Sequence, residues 1–159
     1  SRPAPPRAGA LGWARLKCPT DHRMAAPTAI TIYSLEHARA ALAAAQGAGV
    51  RVTLLSAPGA AAHTGAAWFA EMLAAAAHDH PDSLAQSYLD CGPRAGDVLA
   101  ALRAGVSGVI FTGRGDVADK LRALADAHGA AFLTARPAAL DLLDTADPCA
   151  AVAAWLSER

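Results

Sequence analysis

A carboxylate and a thiol stand next to each other near the middle of the chain, in the stretch YLDCG that runs from Tyr88 to Gly92. Asp90 could act as a general acid or base, and Cys91 could act as a nucleophile or bind zinc as a thiolate. An apolar run precedes the pair and a glycine follows it, which is typical of a buried strand that turns into a helix. The dipole of that helix would lower the pKa of the Cys91 thiol.

A nucleophilic cysteine needs a base within reach, and His63 is the candidate. It lies in the loop APGAAAHTG, residues 57–65, which is rich in glycine and alanine and could close over a site as a lid. In this hypothesis Cys91 attacks the substrate and His63 accepts the thiol proton. The alternative is that Cys91 is a small half-buried residue and His63 is a solvated loop histidine.

The elements that must position these residues follow from an alternation of short β-rich runs with alanine-rich helical runs. The pattern predicts five strands, at 29–33, 50–56, 83–90, 106–113 and 130–135. It predicts five helices between and after them, at 35–46, 66–77, 93–105, 117–129 and 148–158. Ser34, Asp116 and Asp147 are the predicted helix N-caps, Pro148 is the first residue of the last helix, and Gly47 closes the first helix.

Strict alternation of strands and helices predicts parallel βαβ units. We therefore expect an α/β fold in which five parallel strands form a partial (half) (β/α) TIM-like barrel with helices outside. An open doubly wound sheet is the alternative. The two edge strands of such a sheet are unpaired, so a homodimer is expected to cover them. The apolar C-terminal helix, with Trp155 and Leu156, would cover an edge or form the dimer surface.

Both arrangements bind ligands at the carboxyl ends of the strands. Besides the Asp90–Cys91 pair, this rule selects Tyr33, Ser34, Ser56, Thr112, Gly113, Arg114, Thr134 and Arg136. Two arginines and the amides of the sequence GRGD at a helix N-terminus could hold a small oxyanion. The alternative is that these residues are ordinary helix caps and surface arginines.

Composition limits the classes of function. Formal charge is zero at pH 7, so no basic field favours nucleic acid or a membrane surface, and no apolar run is long enough for a membrane span. Cys18, Cys91 and Cys149 form no CxxC motif, which fits free thiols in a reducing cytoplasm. Residues 1–23 are rich in Pro, Arg and Gly and are expected to be a flexible extension, whereas 24–159 are expected to form a single α/β domain.

Several segments together carry a resemblance to a known family. The segment SLEHARAALAAAQGAGVRVTLLSAPGAAAHTG contains a Ser-x-x-Gly turn at Ser56–Gly59, YLDCG stands where the family has Leu-Asp-His-Gly, and VLAALRAGVSGVIFTG and DVADKLRALADAHGAAFLT follow in order. From about Ile32 to Arg136 the chain resembles the N-terminal half of the class II, metal-dependent fructose-bisphosphate aldolases. This stretch is about two-thirds of the chain and about half of a family member.

The resemblance implies roles for individual residues. Asp90 matches the catalytic Asp that exchanges a proton with the substrate hydroxyl, and Cys91 matches the first of three histidine metal ligands. Ser56 matches a serine that contacts substrate, and Gly59 closes the matching Ser-x-x-Gly turn. The other two histidine ligands and the glycine-rich phosphate loop have no counterpart here, and Leu142 stands where a substrate-binding Asn is expected. Cys91 is thus the only plausible zinc ligand, and the metal triad of the family is not retained.

We therefore expect an aldolase-like protein that binds a small polar or phosphorylated metabolite at the strand ends. The substrate-binding candidates are Ser56, Gly59, His63, Thr112, Gly113, Arg114 and Arg136, and the catalytic candidates are Asp90 and Cys91. Full metal-dependent aldolase activity is not expected, because catalytic zinc needs three convergent protein ligands. Two alternatives are a carbon–carbon lyase whose site is completed by homodimerisation and a non-catalytic interaction protein.

Overall fold

Six parallel strands form one open sheet in the computed structural model, which describes residues 28–159. The strands are β1 (Ala29–Thr31), β2 (Val52–Leu55), β3 (Leu84–Asp90), β4 (Gly108–Ile110), β5 (Ala131–Leu133) and β6 (Leu140–Asp141), in the spatial order β5-β4-β3-β2-β1-β6. The predicted α/β class and parallel pairing are confirmed. The predicted count of five strands is wrong, because β6 pairs with β1. The extension predicted at 1–23 lies outside the described residues.

Helices follow the strands in the predicted order. They are α1 (Leu35–Ala48), α2 (Ala61–Thr64), α3 (Ala66–Asp79), α4 (Ala95–Ala104), α5 (Gly115–Ala127) and α6 (Pro148–Ser157). Two predicted N-caps are confirmed: the Ser34 hydroxyl accepts a hydrogen bond from the His37 amide, and the Asp147 carboxylate accepts one from the Ala150 amide. These caps satisfy amides that have no partner inside their helices.

Three local predictions are wrong. Gly47 lies inside α1, and Gly49 closes that helix in the left-handed region at φ 68°, where a residue with a Cβ is strained. The N-cap of α5 is Arg114, so Asp116 lies within the first helical turn. The loop 57–65 contains the single-turn helix α2.

The two faces of the sheet differ in what covers them. Strand residues alternate between the faces with period two, and Ile30, Leu54, Leu89 and Val109 lie in the main core together with side chains of the helices α1 and α3–α6. A second, smaller cluster contains Ala29, Leu55 and Ile110, packed against Tyr88, Leu133 and Ala139. None of these six residues belongs to a helix, so the described helices that build the core lie on one face. We call the other face, which carries the small cluster, the inner face.

The connection between β5 and β6, residues 134–139, is called the strap below. It joins strands at opposite edges of the sheet with only six residues. Because all strands are parallel, it must run from the carboxyl end of β5 back to the amino end of β6. Arg136 contacts the carboxyl ends of β1–β3, and Ala139 packs in the small cluster. The strap therefore crosses the inner face of the sheet.

The C-terminal helix α6 packs on α1, with Val152 buried and Trp155 and Leu156 half-buried against the main core. Its apolar side chains thus cover a helix, and β5 and β6 are the edges of the sheet. The homodimer stays a prediction. Among the helices of residues 28–159, none is long and apolar enough to cross a membrane.

Candidate functional site

Four residues, from the ends of β1, β2 and β3 and from the strap, meet at the carboxyl ends of the strands. An Arg136 Nη1 group donates to Asp90 Oδ2 at 2.5 Å, and Nη2 donates to the Ser56 carbonyl at 3.1 Å and to Thr31 Oγ1 at 3.3 Å. The Ser56 hydroxyl accepts from the Asp90 amide at 2.8 Å. Of the predicted candidates, Ser56, Asp90 and Arg136 are thus brought together.

The geometry of β3 places the side chains of Asp90 and Cys91 on opposite faces of the sheet. Successive residues of a strand point to opposite faces, so Asp90 lies on the inner face with Tyr88, whereas Cys91 and Leu89 belong to the helix-covered core. Gly92 then adopts a left-handed conformation at φ 54°. Its amide donates to Asp90 Oδ1 at 2.8 Å, in the manner of an Asx turn.

The ion pair between Asp90 and Arg136 is largely removed from water. The Asp90 side chain is 4% exposed and the Arg136 side chain is 24% exposed. Both carboxylate oxygens already have donors, the Gly92 amide and the guanidinium. Asp90 is therefore closed to a substrate hydroxyl in this conformation, and its role as a general base stays a prediction that requires Arg136 to move.

The Arg136 guanidinium has more donors than the described residues of the site use. A guanidinium has five N–H donors, and three of them bond to the described residues Asp90, Thr31 and Ser56. Tyr33 follows the carboxyl end of β1, and its hydroxyl donates to Asp141 Oδ2 at 2.9 Å. Burial and the Asp141 carboxylate raise the pKa of Tyr33, and the Arg136 charge opposes that rise.

Cys91 is enclosed on the helix side of the sheet. Its residue exposure is 1%, and its thiol points to the Leu89 carbonyl at 3.7 Å. Burial raises the pKa of Cys91 to about 12, and the nearby carboxylates of Asp97 and Asp90 add to the rise. The expectation that the following helix lowers this pKa is wrong, because desolvation disfavours the thiolate more than the helix dipole favours it.

We expect Cys91 to resist thiol reagents in the native protein. Relative to an ordinary thiol with a pKa of 9.0, a value of about 12 lowers the thiolate fraction at neutral pH about a thousandfold. In a Cys18→Ser background, labelling with a disulfide reagent at pH 7.5 should modify the exposed Cys149 and leave Cys91 unmodified until urea unfolds the chain. Native labelling of Cys91 at a rate comparable to that of Cys149 would restore the nucleophile hypothesis.

The other predicted candidates do not join this group of side chains. His63 is exposed in α2, and Gly59 forms a turn at φ 65° before that helix. Thr112 is exposed, with its amide donating to the Gly92 carbonyl, and Gly113 lies over the ring of Phe111. The Arg114 side chain is 81% exposed and pairs with Asp116 in its own helix at 2.9 Å. The proposed pair of Cys91 and His63 therefore has its members on a buried face and an exposed loop.

The donor set does not fit the catalytic zinc of the aldolase resemblance. Within residues 28–159, no three His, Cys, Asp or Glu side chains are grouped so that they could hold a metal ion. Cys91, the ligand position suggested by the resemblance, faces the core on the helix side. The described residues therefore do not provide the ligands of a catalytic zinc ion.

Sequence reasoning missed Thr31 and the partner of Arg136. Thr31 reads as an interior residue of an apolar strand, although it shares the inner face with Asp90 and is 4% exposed. The available signal was the alternation in β1, which puts Ala29 and Thr31 on one face and Ile30 on the other. Arg136 was predicted to hold an oxyanion, but its inner donors bind groups of the chain itself.

Comparisons with known proteins support the fold. No family model and no curated protein matches the sequence. A solved structure of a protein assigned as a fructose-1,6-biphosphate aldolase from Coccidioides immitis matches with a TM-score of 0.56 and 18% identity. The match covers 65% of this chain and 39% of that protein. At this identity the likeness shows an aldolase-like α/β fold and no more.

Proposed function

We propose that the chain binds a small polar metabolite with an anionic group, such as a phosphate or carboxylate, at the carboxyl ends of its strands. Arg136 is the residue that contacts the anion. The observation that carries this proposal is the fixed guanidinium, whose inner edge is held by Asp90, Thr31 and the Ser56 carbonyl while part of the side chain stays exposed. An anchored guanidinium loses little conformational freedom when it binds a ligand.

Helix N-termini at the carboxyl ends of the strands support the proposal. The helices α4 and α5 begin just after β3 and β4, with Arg94 and Arg114 as N-caps, and neither N-cap accepts a hydrogen bond with its side chain. Their first amides and the positive ends of their dipoles therefore face the strand ends without a side-chain acceptor at the cap. The carboxylates of Asp97 and Asp116 in the first turns oppose an anion there.

Charge balance favours a small ligand over a highly charged one. The Asp90–Arg136 pair is neutral as a unit, so attraction to an anion comes from the remaining guanidinium donors and the helix amides rather than from net charge. The Tyr33 hydroxyl, at which the Arg136 charge opposes the rise in pKa caused by burial, is the candidate partner for a ligand hydroxyl. Aldol cleavage is not part of the proposal, because the described residues offer no metal ligand set.

The proposal predicts binding of a simple phosphate ester that depends on Arg136. Glycerol 3-phosphate, inorganic phosphate and glycerol are titrated into the wild type, Arg136→Gln and Arg51→Gln by calorimetry. The wild type should bind glycerol 3-phosphate more tightly than phosphate and should not bind glycerol. Loss of one charge-assisted hydrogen bond in Arg136→Gln should weaken binding about tenfold or more.

Arg51 is the matched control, because it is an exposed arginine at the opposite, amino end of β2, where it donates to the Asp82 carbonyl. Circular dichroism at the titration temperature verifies that each variant is folded. Equal affinities of Arg136→Gln and Arg51→Gln for glycerol 3-phosphate, or a wild type that binds neither anion, would contradict the proposal.

A further inference from the structure

We infer that the ends of β1, β2 and β3 form a binding site for an alkylguanidinium group, and that Arg136 occupies this site from the strap and so holds the strap across the inner face. The site holds the edge of the guanidinium that faces the sheet, and its occupation by Arg136 does not depend on any anion bound at the opposite edge. In this role Asp90, Ser56 and Thr31 bind a cation of the chain itself and take no part in substrate chemistry.

The groups that face the guanidinium are acceptors supplied by three neighbouring strands. They are one carboxylate oxygen of Asp90, the backbone carbonyl of Ser56 and the hydroxyl oxygen of Thr31. All three residues are at most 4% exposed. A planar cation with several N–H donors satisfies such a set, whereas a single ammonium point charge fits it less well.

The hydrogen bonds that orient Asp90 in the site do not involve Arg136. The Ser56 hydroxyl accepts from the Asp90 amide, and the Gly92 amide donates to Asp90 Oδ1. These two bonds fix the backbone and the orientation of the carboxylate, so that Oδ2 points to the guanidinium. None of the four groups in these bonds belongs to the strap, and the site therefore belongs to the sheet.

The strap has few other ties to the sheet. Outside the β-ladders, the hydrogen bonds found between residues 134–139 and the rest of the described chain are the three of Arg136. Pro137 has no N–H to donate and restricts Arg136 to extended conformations. Ala139 adds only a small apolar contact in the inner cluster. Arg136 therefore supplies the hydrogen bonds that fasten the middle of the strap to the inner face.

The test is chemical rescue of Arg136→Ala. Thermal unfolding and amide hydrogen exchange of the inner-face residues Leu55 and Ile110 are measured with about 10 mM methylguanidinium, methylammonium or sodium chloride, or with urea at the same concentration. Methylguanidinium should raise the midpoint temperature of thermal unfolding of Arg136→Ala and slow its amide hydrogen exchange. The other additives should have much smaller effects on both. At about ten times the dissociation constant, the folded-to-unfolded ratio rises about elevenfold.

The wild type, whose site is occupied, and Arg51→Ala should show no such response. Equal responses of Arg136→Ala to methylguanidinium and sodium chloride, or an equal methylguanidinium response in Arg51→Ala, would overturn the inference. If wild type fails to bind phosphate while methylguanidinium rescues Arg136→Ala, only the proposed anion function falls.

The variant Asp90→Asn with Arg136→Ala covers the case in which Arg136→Ala does not fold. Removing the carboxylate removes the need for a buried cation, so the double variant should be more stable than Arg136→Ala and should not respond to methylguanidinium. A double variant that is no more stable than Arg136→Ala, or one that methylguanidinium rescues equally well, would show that Asp90 is not the acceptor that matters.

Discussion

Replacing Arg136 with methionine is expected to lower the free energy of unfolding by about 3–5 kcal/mol. The substitution keeps a long apolar side chain but leaves the buried Asp90 carboxylate without its cation, and Asp90 is only 3% exposed. The uncompensated charge, rather than lost packing, is the reason for the large effect. Urea unfolding followed by circular dichroism measures it, with Arg51→Met as the matched control at an exposed arginine.

The double variant Arg136→Met with Asp90→Leu separates charge from packing. Replacement of a buried ion pair by apolar side chains of similar volume is often neutral or stabilising, so the double variant should recover most of the loss seen in Arg136→Met. Loss of an exposed ion pair changes the free energy of unfolding by at most about 1 kcal/mol. If Arg136→Met stays within that range of the wild type, the pair is hydrated in solution.

Replacing Leu142 with asparagine is expected to lower the free energy of unfolding by about 2–5 kcal/mol, which is the second large effect. Leu142 follows β6, is 0% exposed and belongs to the main core. The asparagine would lose apolar contacts and bury an amide that has no partner there. Leu143→Asn is the control, because the neighbouring Leu143 is 57% exposed and should change stability by less than about 0.5 kcal/mol.

This pair of variants also tests the resemblance at the motif DLLDTADP. The aldolase family is expected to have a substrate-binding asparagine at this place, whereas this chain uses the position to anchor the end of β6. Equal stabilities of Leu142→Asn and Leu143→Asn would show that the turn after β6 is open enough for an asparagine to reach a ligand. A loss confined to Leu142→Asn confirms that the position serves the core.

Local patterns sufficed for the fold class, because parallel βαβ units repeat the same signals along the chain. The Ser34 and Asp147 caps were predictable from residue types next to helical runs. The strand β6 was not, since two residues, Leu140 and Asp141, carry no periodicity. Its pairing with β1 depends on where the strap takes the chain, which no local signal encodes.

The candidate site was predictable in location but not in its contacts. The rule for strand ends selected Asp90, Ser56 and Arg136, and these residues do meet. That Arg136 pairs with Asp90 depends on the path of the strap, and Thr31 became part of the site through the same path. The pKa of Cys91 depends on whether its side chain lies on the helix-covered face or on the inner face. A one-residue difference in register would move the side chain to the other face.

The strap also has a consequence for the order in which the chain folds. Arg136 contacts residues 46, 80 and 105 positions earlier in the sequence, whereas β1 to β5 pair with their neighbours in chain order. Contacts between distant residues form late, because closing a long loop costs entropy first. During synthesis on a ribosome, β1 to β3 can therefore pair before Arg136 has been made. Until then, water or a cation from solution solvates the Asp90 carboxylate.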